Sequence, residues 1–194
     1  ISEIEEAAFE QAFELIGVTD IKGVLLAVNK TAIDFIGMKK EDVINKPFWK
    51  CPWWTHSSVM QKKLQEAIGI ALKGQMARFE ATHISKNGEL HYFDFSLKPI
   101  KDKEGNILAL MPASHDITSL KAAEEQVLKK QEIINSLIES SEIPTFVMDT
   151  NHKVMYWNKA LELLTGVRGE KLINTSGAWK VYYNKPHPTL ADLV

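Results

Sequence analysis

The feature that most constrains the fold of this chain is an internal repeat, in which two segments align at a constant offset of 129 residues. DIKGVLLAVNKTAIDFIGMKKEDVIN at 20–45 aligns without a gap with DTNHKVMYWNKALELLTGVRGEKLIN at 149–174. The identical pairs are Asp20/Asp149, Asn29/Asn158, Lys30/Lys159, Gly37/Gly166, Glu41/Glu170, Ile44/Ile173 and Asn45/Asn174. Self-similarity on this scale indicates that the 194 residues hold two copies of one structural unit.

Each copy predicts two strands joined by a tight turn and followed by a short helix. Asn29 and Asn158 stand where that helix begins, and an asparagine side-chain oxygen can accept from the first unpaired helical N–H groups. Gly37 and Gly166 stand where the helix ends, at a position that favours a left-handed backbone. Both copies therefore carry the same helix start and stop signals.

The first copy continues into a longer helix and three strands. SVMQ at 58–61 is typical of a capping box, and the apolar stripe of the helix consists of Met60, Leu64, Ile68, Ala71 and Leu72. Three strand patterns follow, at 78–85, 90–97 and 106–113. Strands grouped together beside separate helices predict the α+β class.

The pairing register of the first two of these strands follows from their apolar residues. A two-residue loop at Asn87-Gly88 would pair Phe79 with Ser96 and mix polar with apolar side chains on each face. A three-residue loop with Gly88 as a bulge instead builds one continuous apolar face. Its pairs are Ala77/Leu97, Phe79/Phe95 and Ala81/Phe93, with His83 opposite His91. We expect the second register.

Residues 119–140 predict a helix that connects the two copies. Leu120, Val127 and Ile134 recur every seven residues and Leu137 joins the same side, a pattern that suits pairing with another helix. The second copy begins near Ile143 and reaches position 65 of the first copy at Val194, so it lacks counterparts of three strands. We expect a first domain at 1–118, a connecting helix at 119–140 and the front part of a second domain at 141–194.

Charge and composition narrow the classes of function. A net charge of −2 and an isoelectric point near 6.3 give no electrostatic reason to expect binding of nucleic acid. The longest apolar runs fall far short of the roughly 20 residues that a membrane span requires. A single cysteine excludes an internal disulfide and fits a reducing compartment, so we expect a cytoplasmic location. The chain starts without Met, as an excised piece of a longer protein would.

The succession of elements, together with two segments of sequence, resembles the PAS domain. The segments are FELIGVTDIKGVLLAVNKTAIDFIGMKKEDVINKPFWKCPWW and FDFSLKPIKDKEGNILALMPASHDIT, which ends in an Asp-Ile-Thr motif and runs into a helix. They are similar to PAS modules of prokaryotic sensor histidine kinases. The resemblance covers about residues 8–118, and residues 131–194 as the front part of a second PAS domain.

The resemblance implies a five-stranded antiparallel sheet that cups a pocket against short helices. It also implies a homodimer formed through the N-terminal and connecting helices, and a signal passed along the helix after the last strand. Asp116 and Thr118 would then couple the sheet to that helix, and either side chain can cap a helix that begins at Ser119. We expect the sensory region of a two-component histidine kinase, itself not an enzyme, with the catalytic domain beyond Val194.

The stretch FWKCPWWTH at 48–56 holds three of the five tryptophans and the only cysteine. Most of these aromatic residues suit a structural core, and one of Trp53 or Trp54 suits the wall of a pocket for a small-molecule ligand. The candidate pocket residues are Trp53, Trp54, Met60, Leu64, Ile68, Phe79, Phe93 and Phe95. Neither copy of the pattern identifies the ligand.

Specific cofactor chemistries find little support. Phe48 stands where a light-oxygen-voltage domain carries its flavin-reactive cysteine, and the chromophore-bearing cysteine of photoactive yellow protein would fall nearer Thr55. Haem-binding PAS domains typically use a histidine on the pocket helix, and residues 58–73 contain none. We therefore predict that Cys51 is a buried or partly buried thiol that takes no part in chemistry. No cofactor is evident.

The histidines and the remaining motifs favour structural roles. His83 and His91 lack a third metal ligand, so we expect a part-exposed pair and no metal site. His115 reads as structural, and no phosphate-cradling glycine loop or nucleophile elbow is present. The alternative to a ligand sensor is a ligand-free PAS interaction module in a transcriptional or second-messenger regulator, with its pocket filled by its own side chains.

Overall fold

The computed structural model describes residues 2–185 and residue 187, and the chain divides into two compact units, Ile1–Ala123 and Glu124–Val194. The last part of the expected second domain, Pro186 and residues 188–194, lies outside the described residues. None of the helices within the described part combines the length and the apolar character of a membrane span.

The first unit consists of short helices and a sheet. Its elements in chain order are α1 (Glu3–Glu10), β1 (Leu15–Thr19), β2 (Leu25–Val28), α2 (Lys30–Ile36), α3 (Pro52–Thr55), α4 (Ser58–Ala71), β3 (Ala77–Ile84), β4 (Leu90–Lys101) and β5 (Ile107–Asp116). The strands form one antiparallel sheet in the order β2-β1-β5-β4-β3. The α+β class and the five-stranded antiparallel sheet expected from the sequence are confirmed.

The β3–β4 hairpin has the register that the apolar face predicts. Ala77 pairs with Leu97, Phe79 with Phe95 and Ala81 with Phe93. The last two strands extend further than the apolar patterns indicated, since the β4–β5 ladder continues from Phe93/Asp116 to Lys101/Ile107. Backbone hydrogen bonds between the strands stabilise these added pairs even where the side chains are polar. A pattern of apolar residues does not predict such pairs.

The helix caps of the repeat form as expected. The Oδ1 atom of Asn29 accepts hydrogen bonds from the amides of Ala32 and Ile16, both at 3.1 Å, so one side chain caps α2 and ties it to β1. Gly37 ends α2 at φ 67°. The predicted cap of α4 is wrong by one residue, because Ser57 and not Ser58 accepts from the amide of Met60, at 3.3 Å.

The core of the first unit lies on one face of the sheet, beneath α3 and α4. Large side chains from β4 and β5 meet the buried face of α4, and the fully buried members are Leu25, Trp54, Leu64, Phe93, Phe95, Leu97 and Leu110. Complete burial of one such side chain stabilises the folded state by about 1.5–3 kcal/mol. This core holds the aromatic residues of 48–54 against the sheet.

The second unit repeats the beginning of the first. It contains most of α5 (Thr118–Ser140), then β6 (Phe146–Met148), β7 (Val154–Trp157) and α6 (Lys159–Thr165), with β6 and β7 paired antiparallel. Asn158 caps α6 as Asn29 caps α2, and Gly166 ends it at φ 71°. The small core of this unit consists of Val154, Trp157, Leu161, Leu172 and Ala178.

Candidate ligand cavity and sheet-to-helix junction

The aromatic stretch is held in place by backbone hydrogen bonds to β2 and to the turn before it. The amide of Leu25 donates to Lys46 O at 2.9 Å, and the amide of Phe48 donates to Gly23 O at 2.8 Å. Pro52 then starts α3, where the missing N–H of a proline costs nothing. The result is a one-turn helix that buries Trp53 and Trp54.

Trp54 lies at the centre of an aromatic cluster. Its ring packs edge-on against His83 at 4.8 Å, Phe95 at 5.1 Å and Phe48 at 5.6 Å between centroids. Edge-to-face contacts of this kind add roughly 0.5–1.5 kcal/mol per pair to area burial. They explain why a short segment contains so many aromatic residues, because α3 spans the gap between the sheet and α4.

His83 is the buried polar residue of this cluster. Its Nδ1 atom lies 2.8 Å from Trp53 O, and since a carbonyl only accepts, Nδ1 carries the proton and Nε2 is the acceptor of the neutral ring. Burial lowers the pKa of His83 to about 4. The expectation of a part-exposed His83–His91 pair is wrong for His83, which is 1% exposed because Trp54 and Phe93 cover it.

Cys51 is buried beside the same helix. Its Sγ atom contacts Pro47 O at 3.6 Å and Val43 O at 3.8 Å. Burial raises the pKa of the thiol to about 11, against a smaller opposing effect of Lys46. The thiolate is the nucleophilic form of cysteine, so this environment leaves Cys51 unreactive.

A small cavity of about 20 Å³ lies between β1, β2, β3, β5 and α3. Leu15, Leu25, Val28 and Phe48 give it an apolar wall, and the polar residues Trp53, His83 and Ser114 also line it. Among the described residues, neither Trp53 Nε1 nor Trp54 Nε1 has a hydrogen-bond partner, although both atoms are buried. Buried polar atoms without a partner are uncommon, so each one requires an explanation.

The expected pocket residues occupy different places around this cavity. Trp53 lines it, whereas Trp54, Leu64, Ile68, Phe93 and Phe95 are buried in the adjoining core, and Met60 and Phe79 are half-buried at the margin of that core. Whether any of the eight contacts a ligand stays a prediction.

Asp116 joins the end of the sheet to the start of α5. Its Oδ1 atom accepts from the backbone amide of Thr118 at 2.8 Å, and its Oδ2 atom accepts from His91 Nδ1 at 2.9 Å. Burial alone raises the pKa of the Asp116 carboxyl, but the hydrogen bonds from Thr118 and His91 outweigh it and lower the pKa below its ordinary value. Of the two capping alternatives, Asp116 therefore serves the first amide of the helix.

Thr118 adds a second connection between the sheet and α5. Its Oγ1 atom accepts from the amide of Tyr92 at 2.9 Å, and the amide of Ile117 donates to Tyr92 O at 2.8 Å. One turn further, Lys121 Nζ lies 2.7 Å from Glu80 Oε1 on β3. The first turn of α5 is thus attached to two strands of the sheet.

Sequence reasoning missed several features of these sites. It named His91 but not its contact with Asp116, 25 positions away, and it did not name Ser114 and Gly17, which reach the cavity from β5 and β1. Gln61 was also overlooked, although its Nε2 donates to Trp49 O at 2.8 Å and holds the aromatic stretch on α4. Within the sequence, the alternation along 107–116 places Ser114 on the same face as Leu110, which is the one signal that could have found it.

A wider groove of about 300 Å³ lies on the opposite face of the sheet. It contains an ion pair between Arg78 and Asp94, and His115 Nδ1 lies 3.7 Å from Glu14 Oε1. Within the part of the chain that the structure describes, no group of three or more His, Cys, Asp or Glu side chains is placed to hold a metal ion.

Comparison with protein families places this geometry in a known class. A PAS-fold family model matches residues 9–122, and a second PAS-fold model matches residues 132–178. Because the first match alone covers more than half of the 194 residues, the chain belongs to the PAS family. The repeat at an offset of 129 residues is therefore a repeat of PAS sensory domains.

Two curated relatives are signalling kinases. The chain is 34% identical over 142 residues to sensor histidine kinase TmoS of Ectopseudomonas mendocina, and 30% identical over 132 residues to hybrid signal transduction histidine kinase D of Dictyostelium discoideum. These matches cover 71% and 67% of this chain but 14% and 8% of the relatives. The chain thus spans only a small part of each relative's length.

Solved structures share the fold at low sequence identity. An RNA-binding light-oxygen-voltage receptor superposes with a TM-score of 0.55 at 15% identity, over 69% of this chain and 37% of that one. The VqmA dimer of Vibrio cholerae superposes with a TM-score of 0.53 at 20% identity, over 62% of this chain and 53% of that one. At such identities the likeness concerns the fold alone.

Proposed function

We propose that this PAS region is the sensory input of a two-component sensor histidine kinase, and that it relays the state of its pocket through α5. The observation that carries the proposal is the position of Asp116, whose two oxygens bind His91 on β4 and the amide of Thr118 at the start of α5. A change in the sheet would therefore reach the helix through this carboxylate, alongside the contacts of Thr118 and Lys121.

The relay begins at the cavity, because Ser114 on β5 and His83 on β3 both line it and both strands contact the first turn of α5. Ser114 lines the cavity on β5, two residues before Asp116. A ligand that displaced Ser114 would move the end of β5 and with it the hydrogen bonds at Thr118. Such a shift needs different affinities of the ligand for two arrangements of the helix, and it then biases their populations.

The relatives support assignment to a kinase. Both are histidine kinases by name, and the matched segment makes up only 14% and 8% of their lengths. A domain order of first PAS (1–118), connecting helix (119–140) and second PAS from residue 141 suits an input region placed before a catalytic region. Such a region would act in the cytoplasm, where ATP is available.

A homodimer would turn a change in α5 into an output. The apolar residues Leu120, Val127, Ile134 and Leu137 of α5 are all exposed, between 49% and 67%, at spacings that suit a helical pair. None of the residues of α1 is buried either. We assign a second copy of the chain as the partner of both helices, because seven-residue spacing is satisfied by an identical helix in register.

The pocket for a small-molecule ligand would have Trp53 at its surface. The other expected residues, Trp54, Met60, Leu64, Ile68, Phe79, Phe93 and Phe95, would support it from the core or line it after expansion. Expansion is required for most metabolites, because about 20 Å³ admits roughly one water molecule.

The test replaces Asp116 by Ala and follows hydrogen exchange at the amides of 118–123, together with phosphorylation of the full-length protein by labelled ATP. We expect D116A to speed exchange in the first turn of α5 and to leave the autophosphorylation rate insensitive to the stimulus. D102A is the matched control, because Asp102 is a turn carboxylate that also accepts backbone amides but lies between β4 and β5.

Three results would contradict the proposal. Equal exchange in D116A and D102A would show that the carboxylate does not hold the helix, and loss of ligand binding in D116A at unchanged fold would place Asp116 in the pocket. A full-length protein that forms no phosphohistidine would exclude the kinase.

The small size of the cavity favours a second candidate, a structural interaction module that dimerises without a ligand. The core is filled by Trp54, Phe93 and Phe95, which are at most 1% exposed. Native mass spectrometry separates the two functions, since the module predicts a dimer whose mass is that of protein alone, and the sensor predicts added mass from a bound small molecule.

A further inference from the structure

We infer that the cavity beside α3 is a site for a small uncharged molecule that carries a hydrogen-bond acceptor, and that the Nε1–H of Trp53 donates to that acceptor. The inference names the ligand class of the pocket and rests on the proposed sensory function. Its starting point is a buried donor without a partner in a residue that lines a cavity.

The donor is provided by Trp53. This residue is 3% exposed, and within residues 2–185 its indole nitrogen meets no acceptor. A buried N–H left without an acceptor costs about 1–3 kcal/mol, and an oxygen or nitrogen of a ligand would remove that cost. The cavity is the space next to Trp53 that such an atom can enter.

The remaining polar groups of the cavity can serve either side of a hydrogen bond. His83 holds its proton on Nδ1, so Nε2 is the acceptor of its ring, and it lines the cavity. Ser114 brings a hydroxyl, which can donate or accept. An acceptor atom of the ligand can accept from Trp53 or Ser114, and a donor atom, where the ligand has one, can donate to His83 or Ser114.

The residues that line the cavity require the ligand to be uncharged. Among the described residues that line this cavity there is no Lys, Arg, Asp or Glu, and the other lining residues include Leu15, Leu25, Val28, Phe48 and Pro112. A charged ligand buried among these side chains would have no counter-ion, and that cost exceeds what a few neutral hydrogen bonds return. Neutral molecules such as ketones, amides and neutral heterocycles meet the requirement.

The size of the ligand is limited by Gly17 and its neighbours. A Cβ atom added at Gly17 would lie 3.0 Å from Ala27 O and 3.3 Å from Leu25 Cδ1. There is therefore little free space beside Gly17. Entry of several heavy atoms requires outward motion of a rim side chain, of which Leu15 is half-exposed. The class is therefore restricted to molecules of few heavy atoms.

The experiment uses acetone and isobutene as probes, because they share one shape and only acetone has an acceptor oxygen. The five tryptophan indoles of the 194-residue chain each give one ¹H–¹⁵N resonance, assigned with W53F and W54F. We expect acetone to shift the Trp53 indole proton downfield and saturably, and to bind about three- to tenfold more tightly than isobutene, the contribution of one hydrogen bond.

Trp157 provides the control, since it is a buried tryptophan of the second unit and does not line the cavity. We expect W53F to weaken acetone binding about three- to tenfold, followed by the backbone amide shifts of Gly17 and Ser114, and W157F to leave it unchanged. If W53F does not fold, 3-benzothienylalanine at position 53 removes the N–H while it keeps the shape of tryptophan.

Two results would overturn the inference. Equal binding of isobutene and acetone, with the Trp53 resonance unmoved, would make this an apolar site, and no saturable shift with either probe would exclude it as a site for molecules of this size. The proposed sensory function fails differently, when acetone binds at Trp53 but neither the probe nor D116A changes hydrogen exchange in α5.

Discussion

His83 donates a hydrogen bond from Nδ1 to the backbone oxygen of Trp53 at 2.8 Å, across 30 positions of the sequence. The bond attaches α3 to β3 and fixes the tautomer of the imidazole. It also places a neutral, titratable ring at the cavity, within 4.9 Å of the Phe93 ring. The buried position of His83 therefore links the stability of the first unit to pH.

We predict that the first unit loses stability as the pH falls from 6.5 toward 4. The pKa of His83 is lowered from 6.5 to about 4 by burial, so in this window the unfolded chain binds a proton that the folded chain does not. The free energy of unfolding is therefore complete above pH 6.5 and declines below it, by on the order of 3 kcal/mol for this group.

Urea unfolding at several pH values measures this effect, with H83N as the test variant and N106A as the control. Asn keeps a donor for Trp53 O but does not titrate, so we expect a shallower pH dependence in H83N. Asn106 is exposed and has no titratable side chain, so its replacement should leave the pH dependence unchanged. A wild-type slope in H83N would contradict the assignment.

We predict that Gly23→Ala destabilises the first unit more than Gly88→Ala. Both glycines have a left-handed backbone, at φ 77° and 81°. A Cβ at Gly23 would lie 2.7 Å from Trp49 Cζ3, whereas a Cβ at Gly88 meets no atom within 4 Å. We expect a loss of about 1–2 kcal/mol at Gly88 from backbone strain, and about 1–3 kcal/mol more at Gly23 from the clash.

Chemical denaturation of both variants measures the difference, and the indole resonance of Trp49 reports whether the ring is displaced. Equal losses would mean that Trp49 moves aside freely, and that the aromatic stretch is not packed as described.

We predict that Asn29→Ala costs about 3 kcal/mol of stability. The side chain is fully buried, its Oδ1 accepts from the amides of Ile16 and Ala32, and its Nδ2 donates to Glu14 O at 2.9 Å. Its removal leaves two amides and a carbonyl without a side-chain partner at once.

Thermal and urea unfolding measure the cost, with Asn106→Ala as the control. Asn106 is exposed and its side chain bonds only to Asp102, within the β4–β5 turn. We expect less than about 1 kcal/mol there. A loss in N29A no greater than in N106A would show that water replaces the buried contacts.

We predict that Cys51 reacts with iodoacetamide at least about a hundredfold more slowly than a free thiol near neutral pH, because burial raises its pKa from 9.0 to about 11 and lowers the thiolate fraction accordingly. Mass spectrometry of the alkylated protein gives the rate, and urea should restore it. Alkylation in the folded protein as fast as that of free cysteine would show that the thiol is not buried as described.

Local features of the fold were readable from the sequence. Asn29 begins α2 and Gly37 ends it. A cap contacts amides only two or three residues away, so both the capping residue and its partner can be recognised within one short segment of sequence. The register of β3 and β4 was predictable for a related reason, since a shift by one residue would turn every apolar side chain of the hairpin to the opposite face. Because the two copies align without a gap, the same prediction holds for Asn158 and Gly166, which cap and end α6.

The site depended on contacts between distant residues, which the tertiary structure decided. The sequence placed His83 opposite His91 but could not show that α3 closes over His83 alone, nor that His91 turns to Asp116. The cavity has walls from β1, β2, β3, β5 and α3, and its polar lining residues are Trp53, His83 and Ser114. Amphipathic spacing and caps act within a few residues, whereas burial and an unpartnered donor arise only when remote segments pack against one another.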